Sequence, residues 1–129
     1  MEETRATILV TDDNLAVQIF ICRVLREEGY YVLPSQDPFH ALQLCREHPG
    51  PIHLLITDVL MPDMNGRDLA SRATTLRKTM RVLYISGYVD RLLLDGFGLD
   101  GALNFMQKPF SPTALCRKVQ EVLEAASLS

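Results

Sequence analysis

The sequence predicts one α/β domain, a doubly wound five-stranded parallel sheet with helices on both faces. Two observations lead there. Short runs of β-branched and aliphatic residues alternate with longer segments whose apolar positions recur at helical spacing. Strands and helices in that alternation require right-handed crossovers, and so a parallel sheet. In addition, four of the runs end in polar groups: Asp12-Asp13, Asp58, Ser86 and Lys108. Parallel strands share a carboxyl edge, where the ligand sites of open α/β sheets lie.

The first strand is expected at Thr7 to Thr11, an apolar run of the kind buried on both faces. Asn14 can cap the next helix, on which Val17, Phe20, Ile21, Val24 and Leu25 keep helical spacing, and Gly29 ends it. Tyr30 to Leu33 reads as the second strand, stopped by Pro34. A second helix spans Asp37 to about Glu47, with Pro38 near its first position and Ala41, Leu42 and Cys45 facing inward. Pro49-Gly50-Pro51 breaks it. His53 to Thr57 is the third strand, and Asp58 to Gly66 forms a loop.

A third helix from about Arg67 to Leu76 buries Leu69, Ala70 and Ala73, and Arg81 to Ile85 is the fourth strand. A short fourth helix is placed between Tyr88 and Leu103, weakened by Gly96, Gly98 and Gly101, each costing about 1 kcal/mol relative to alanine. Asn104 to Met106 is the fifth strand. Ser111 caps the last helix, which starts near Pro112 and aligns Leu115, Val119, Val122 and Leu123 on one face.

At 129 residues the chain fits a single domain, residues 1–129, and 47% hydrophobic content suffices for a packed core. A net charge of −3 gives no electrostatic case for direct nucleic-acid binding. No apolar run nears the roughly 18 residues that span a bilayer, and the charged Met1 to Arg5 segment is unlike a secretory signal. A cytoplasmic, soluble domain is expected. Cys22, Cys45 and Cys116 are odd in number and scattered, which suits reduced core thiols rather than disulfides or zinc. His40, His48 and His53 lack ligand spacing and are expected at the surface or facing loops.

The polar edge carries the chemistry. Adjacent carboxylates at Asp12-Asp13, joined by Asp58, repel unless something positive lies between them. Magnesium suits that set, because it takes oxygen from one or two carboxylates and keeps several waters. The doublet alone serves equally well as a helix cap. Asp58, however, ends the apolar strand Leu54-Leu55-Ile56-Thr57, where a carboxylate is costly without a cation or hydrogen bonds. A carboxylate can attack phosphorus and form an acyl phosphate. Ser86-Gly87 supplies a hydroxyl beside a backbone open to close approach, and Lys108 a point charge for a phosphoryl oxygen. Phosphoryl transfer needs mainly positioning and charge neutralisation.

Taken together, Asp12-Asp13, the Asp58…Met61-Pro62…Gly66 loop, Ser86-Gly87 and Lys108-Pro109-Phe110 resemble the receiver domain of two-component response regulators. The resemblance covers nearly the whole chain. It implies a flavodoxin-like sheet of order 2-1-3-4-5, which makes the four strands bearing these groups neighbours. It also implies that Asp58 is the phosphoacceptor, taking its phosphoryl group from a phosphohistidine of a histidine kinase or histidine phosphotransfer protein. By the same resemblance Asp13 and Asp58 bind Mg2+ through side chains, Leu60 through its carbonyl and Asp12 through water. Lys108 and Ser86 contact the phosphoryl group, Phe105 holds the aromatic switch position, and the Lys108-Pro109 bond is cis.

Some departures shape the expectation. Serine replaces the commoner threonine at Ser86, and Phe105 lacks the hydroxyl of the commoner tyrosine, so its readout rests on packing. Leu60 and Tyr88 hold the positions that flank the attacking water, which favours slow dephosphorylation. The Ser86-Gly87-Tyr88 and Gln107 to Pro112 segments look most like receivers of hybrid sensor histidine kinases. The expected activity is self-catalysed phosphotransfer to Asp58 and autodephosphorylation, with the signal passed by protein contact to a partner or to covalently linked kinase domains. The alternatives are a docking receiver within a hybrid kinase and a Mg2+-dependent aspartyl-phosphate phosphohydrolase. The latter wants a second aspartate two residues after its nucleophile, where Leu60 stands. A flavodoxin-like cofactor domain is disfavoured, because acidic Asp12-Asp13-Asn14 occupies the turn where phosphate binding wants glycine and hydroxyls.

Overall fold

The computed structural model describes residues 5–87 and 104–127. The helix placed between Tyr88 and Leu103, Tyr88 itself and the charged first four residues lie outside that range. The elements in chain order are β1 (Thr7–Thr11), α1 (Leu15–Glu27), β2 (Tyr31–Ser35), α2 (Pro38–Glu47) and β3 (Leu54–Asp58). They continue with α3 (Gly66–Leu76), β4 (Arg81–Ser86), β5 (Asn104–Gln107) and α4 (Pro112–Ser127). All strand pairs are parallel, in the order β2-β1-β3-β4-β5 expected from the resemblance.

Because side chains alternate across a strand, the sheet splits its apolar residues between two layers. Leu9, Leu55 and Tyr84 pack with Leu69, Ala70 and Ala73 of α3 and with Ala41 and Leu42 of α2. Ile8, Val10, Ile56 and Ile85 pack with Ile21 and Leu25 of α1 and with Leu115 and Val119 of α4. β1 and β3 are buried at every position, as continuous apolar runs flanked by helices should be.

The helices begin where short polar side chains accept the free N–H groups of the first turn. Asn14 Oδ1 accepts from Val17 N at 3.2 Å, and Ser111 Oγ from Ala114 N at 3.0 Å. Asp37 is the cap of α2 rather than its first residue, accepting from His40 N at 2.8 Å. Asn65, read as loop, caps α3 through Asp68 N at 2.8 Å. Past the end of α1, Gly29 takes a φ of 98°, the left-handed conformation that glycine adopts without strain.

Two sequence expectations are corrected. Pro34 does not stop β2, which runs through it to Ser35. Tyr31 N donates to Ala6 O and Asp12 N to Ser35 O, so the main chain of these odd-numbered positions faces β1. Pro34 therefore faces outward on an edge strand, where its missing N–H costs no ladder bond. His53 is not a surface histidine: its Nδ1 accepts the Thr7 N–H at 2.9 Å, tying the start of β1 beside β3. The thiols of Cys22 and Cys45 are buried and free, and burial raises both above their ordinary range.

Arg77, which carried no signal in the sequence, holds the α2–β3 connection. Its Nε donates to Cys45 O at 2.8 Å, Nη1 to Gly50 O at 2.6 Å and Nη2 to His48 O at 2.6 Å. Those carbonyls belong to the end of α2 and the turn that follows it. Arg77→Ala is expected to cost about 2–3 kcal/mol, since charge-assisted bonds are lost and partly buried carbonyls are stranded. Arg77→Lys should recover little, because a point ammonium cannot serve three diverging acceptors. Urea midpoints of the two variants measure both effects.

Candidate functional site

β1, β3, β4 and β5 are consecutive neighbours, and each delivers one polar group at its carboxyl end. Asp12 follows β1, Asp58 and Ser86 are the last residues of β3 and β4, and Lys108 follows β5. Backbone bonds run on past the strand ends and fix the connections. Val59 N donates to Ile85 O at 3.1 Å, and Lys108 N to Ser86 O at 2.9 Å. The Lys108-Pro109 peptide is cis.

Lys108 sits between the acids. Its Nζ lies 3.0 Å from Asp58 Oδ2, in a hydrogen bond, and 3.2 Å from Asp12 Oδ2. Asp12 is fully buried and its Oδ1 accepts from Asn14 N at 2.8 Å. Its Oδ2, despite the nearby ammonium, has no aligned hydrogen-bond donor among the described residues. Asp58 is 8% exposed, and its Oδ1 takes a long bond of 3.4 Å from Leu60 N. Asp13 is exposed, yet its carboxylate shares the cluster: Asp12, Asp13 and Asp58 each offer an oxygen within 4.8 Å of the others.

That donor set fits a hard divalent cation. Three carboxylates at this spacing bring more negative charge than one lysine neutralises, and Asp12 Oδ2 is a buried acceptor in want of a donor or a cation-bound water. The remaining residues singled out in the sequence lie close in the chain or the sheet. Ser86 is buried at 1% exposure, Leu60 is half-exposed, and Phe105 is partly buried with its ring 5.4 Å from that of Tyr84. Sequence reasoning missed Asn14 as the donor that orients Asp12 and Tyr84 as the partner of Phe105, and it placed Gly66 in the loop after Asp58 without seeing that it packs against that residue. Asn14, next to the acidic doublet, and Gly66, in the loop motif, carried local signals, and Tyr84 did not.

Burial and the neighbouring Asp58 charge raise the Asp12 carboxyl above its ordinary 3.8, against the opposing pull of the Asn14 N–H and Lys108. Burial alone would lower the Lys108 ammonium, but its bond to Asp58 and the two carboxylate charges outweigh burial and raise it above 10.5. The signs set the pH dependence. Between 3.8 and the raised value, folded Asp12 keeps a proton that the unfolded chain has lost, so metal-free stability falls as pH rises through that window. The Lys108 contribution is present below 10.5 and is lost as pH climbs through its raised value. In EDTA, the wild-type melting temperature should therefore drop relative to Asp12→Asn as the pH is raised from 4 toward neutrality. Added magnesium should reverse the ranking.

A family model described as "Response regulator receiver domain" matches residues 8–120. Sensor kinase CckA of Brucella abortus is 30% identical over 92% of the chain, which spans 13% of that kinase. The receiver protein CpdR of the same organism is 29% identical over 92% of the chain and is matched over 98% of its own length. Among solved structures, the receiver domain from hybrid histidine kinase CckA has a TM-score of 0.78 and 34% identity, covering 92% of this chain and 99% of that one. A receiver domain protein from Methanospirillum hungatei has a TM-score of 0.83 and 27% identity, covering 96% and 98%. No described helix is long and apolar enough to cross a membrane.

Proposed function

The chain belongs to the response regulator receiver domains of two-component signalling, and from that premise we propose that residues 1–129 form one phosphorylation switch with Asp58 as its acceptor. The observation that carries the reading is the cluster itself. One buried, one nearly buried and one exposed carboxylate share a cation-sized space, with a lysine bridging two of them.

In this reading an Asp58 carboxylate oxygen attacks the phosphorus of a phosphohistidine. An O–P bond forms, the N–P bond breaks, and the departing imidazole nitrogen takes up a proton. Asp13, Asp58 and the Leu60 carbonyl would hold Mg2+, and Asp12 would act through water. The cation, when bound, supplies charge neutralisation at the incoming phosphoryl oxygens. Lys108, already 3.0 Å from Asp58, moves its charge from the carboxylate to the phosphoryl group, and Ser86 donates its hydroxyl. Drawing Ser86 toward that group shifts the end of β4, and Phe105 on neighbouring β5 reports it by packing.

A histidine kinase or phosphotransfer protein also needs a surface beside Asp58. An apolar cleft of about 260 Å3, lined by Ala16, Val17, Phe20, Pro109 and Phe110, opens next to Lys108. The Phe20 and Phe110 rings in its lining pack against each other at 6.0 Å, and Phe20 is 36% exposed. A helix that presents the phosphohistidine and an apolar face would land there. The phosphohydrolase alternative lacks its second acid, because half-exposed Leu60 stands two residues after Asp58. The receivers of CckA and CpdR make a hybrid kinase or a free-standing regulator equally natural settings for this domain.

Intact-mass analysis after incubation with acetyl phosphate tests the proposal. A single phosphoryl adduct should form with magnesium and disappear when EDTA is added beforehand. A folded protein that gains no adduct from acetyl phosphate or from a phosphorylated histidine kinase would overturn it.

A further inference from the structure

Tyr84 is 4% exposed and occupies a middle position of β4, on the sheet face that also holds Leu9, Leu55 and the α3 residues. Ser86 lies two residues on and, by strand alternation, shares that face. Across the ladder Tyr84 is registered directly with Phe105, and the two rings meet at 5.4 Å and 30°. Phe105 is packed inward in the structure, against the same cluster to which Tyr84 belongs. One stiff strand therefore carries both the hydroxyl proposed to sense the phosphoryl group and the ring that Phe105 rests upon.

We infer that Tyr84 is a positioning residue of the switch: its ring holds Phe105 inward and so links the aromatic pair to occupancy of the Asp58 site. This rests on the phosphoacceptor reading of Asp58. The physical ground is simple. Phe105 has no hydroxyl, so only packing can favour one of its positions, and offset aromatic pairs attract beyond the area they bury. In the structure the contact across β4 and β5 is made with Phe105 inward, so it stabilises that position. Whatever stabilises the inward state must, by linkage, also strengthen binding at Asp58 if that binding favours the same state. An aromatic pair that merely filled the core would set stability and leave that affinity untouched.

The test uses beryllium fluoride with magnesium, a mimic of a phosphoryl group on a carboxylate, titrated by NMR. Tyr84→Leu and Phe105→Leu should each weaken binding about three- to tenfold, the range expected for one aromatic pair. The double variant should be no weaker than the weaker single, and Tyr84→Phe should bind like wild type. In the wild-type chain, the Tyr84 and Phe105 ring resonances should shift with the same midpoint as the amides around Asp58. That last readout decides the matter if Tyr84→Leu does not fold. Wild-type affinity in folded Tyr84→Leu, multiplying losses in the double variant, or rings that stay still on binding would each overturn the inference. Failure of wild type to bind beryllium fluoride at all would instead remove the phosphoacceptor reading beneath it.

Discussion

Asp58→Ala is expected to abolish the magnesium-dependent phosphoryl adduct completely while leaving the protein folded. No other group in the cluster can take over the attack. Asp12 is fully buried with one oxygen committed to the Asn14 N–H, and Asp13 follows it on the exposed side of the turn. Ser86 is a buried hydroxyl, and a serine hydroxyl at its ordinary pKa is a weak nucleophile toward phosphorus. Mass spectrometry with acetyl phosphate should thus give no adduct, rather than a reduced one. A residual magnesium-dependent adduct on the variant would move the acceptor elsewhere.

The same substitution should raise metal-free stability. Asp58 is one of the charges that push the Asp12 carboxyl upward, so its removal relieves a repulsion that Lys108 only partly offsets. The ammonium keeps its contact with Asp12 at 3.2 Å. Relief on the order of 1 kcal/mol corresponds to a rise of roughly 2–6 °C in melting temperature for a domain of this size. Magnesium should no longer add to it. Thermal melts with EDTA and with magnesium separate the two effects.

The polar edge was legible because its signals are local. A carboxylate, hydroxyl or ammonium at the end of an apolar run marks a strand terminus, and parallel topology then brings the termini together. Asp12, Asp58 and Lys108 converge as expected, within ion-pair distance of one another through the lysine. What the sequence hid is non-local. Arg77 bonds to carbonyls 27 to 32 residues away, and His53 to an amide 46 residues away. Neither has a pattern in its own neighbourhood. Pro34 misled for a related reason: a proline ends a central strand but is tolerated on an edge, and which strand is the edge depends on the whole sheet. Tyr84 read simply as a strand residue until the register set it opposite Phe105.

Gly66 shows how closely fold and site are joined, and Gly66→Ala is the second large effect expected. A Cβ there would overlap the Asp58 carbonyl oxygen, and would stand 3.0 Å from Val59 Cα and 3.1 Å from the Asp58 carbonyl carbon. All three are main-chain atoms, so no side chain can swing aside. The Gly66 N–H also donates to Val59 O at 2.7 Å, which clamps the start of α3 onto the end of β3. To make room, the first turn of α3 must retreat, losing that bond and dragging the Asp58 carbonyl with it. Overpacking of this kind costs about 1–3 kcal/mol, and the upper end applies where only backbone can yield. Buried Val59 and Met64 anchor the loop on either side, so the strain cannot dissipate along it. Gly66→Ala should therefore lower the urea midpoint and, in the fraction that folds, slow phosphoryl uptake at least tenfold, because about 1 Å of misplacement at the reacting group can cost far more. Gly50→Ala is the control: its Cβ would meet only the His48 imidazole, at an ordinary 3.7 Å, and it should leave phosphoryl uptake unchanged. If Gly66→Ala folds stably and phosphorylates at the wild-type rate, the contact between α3 and the end of β3 does not position Asp58.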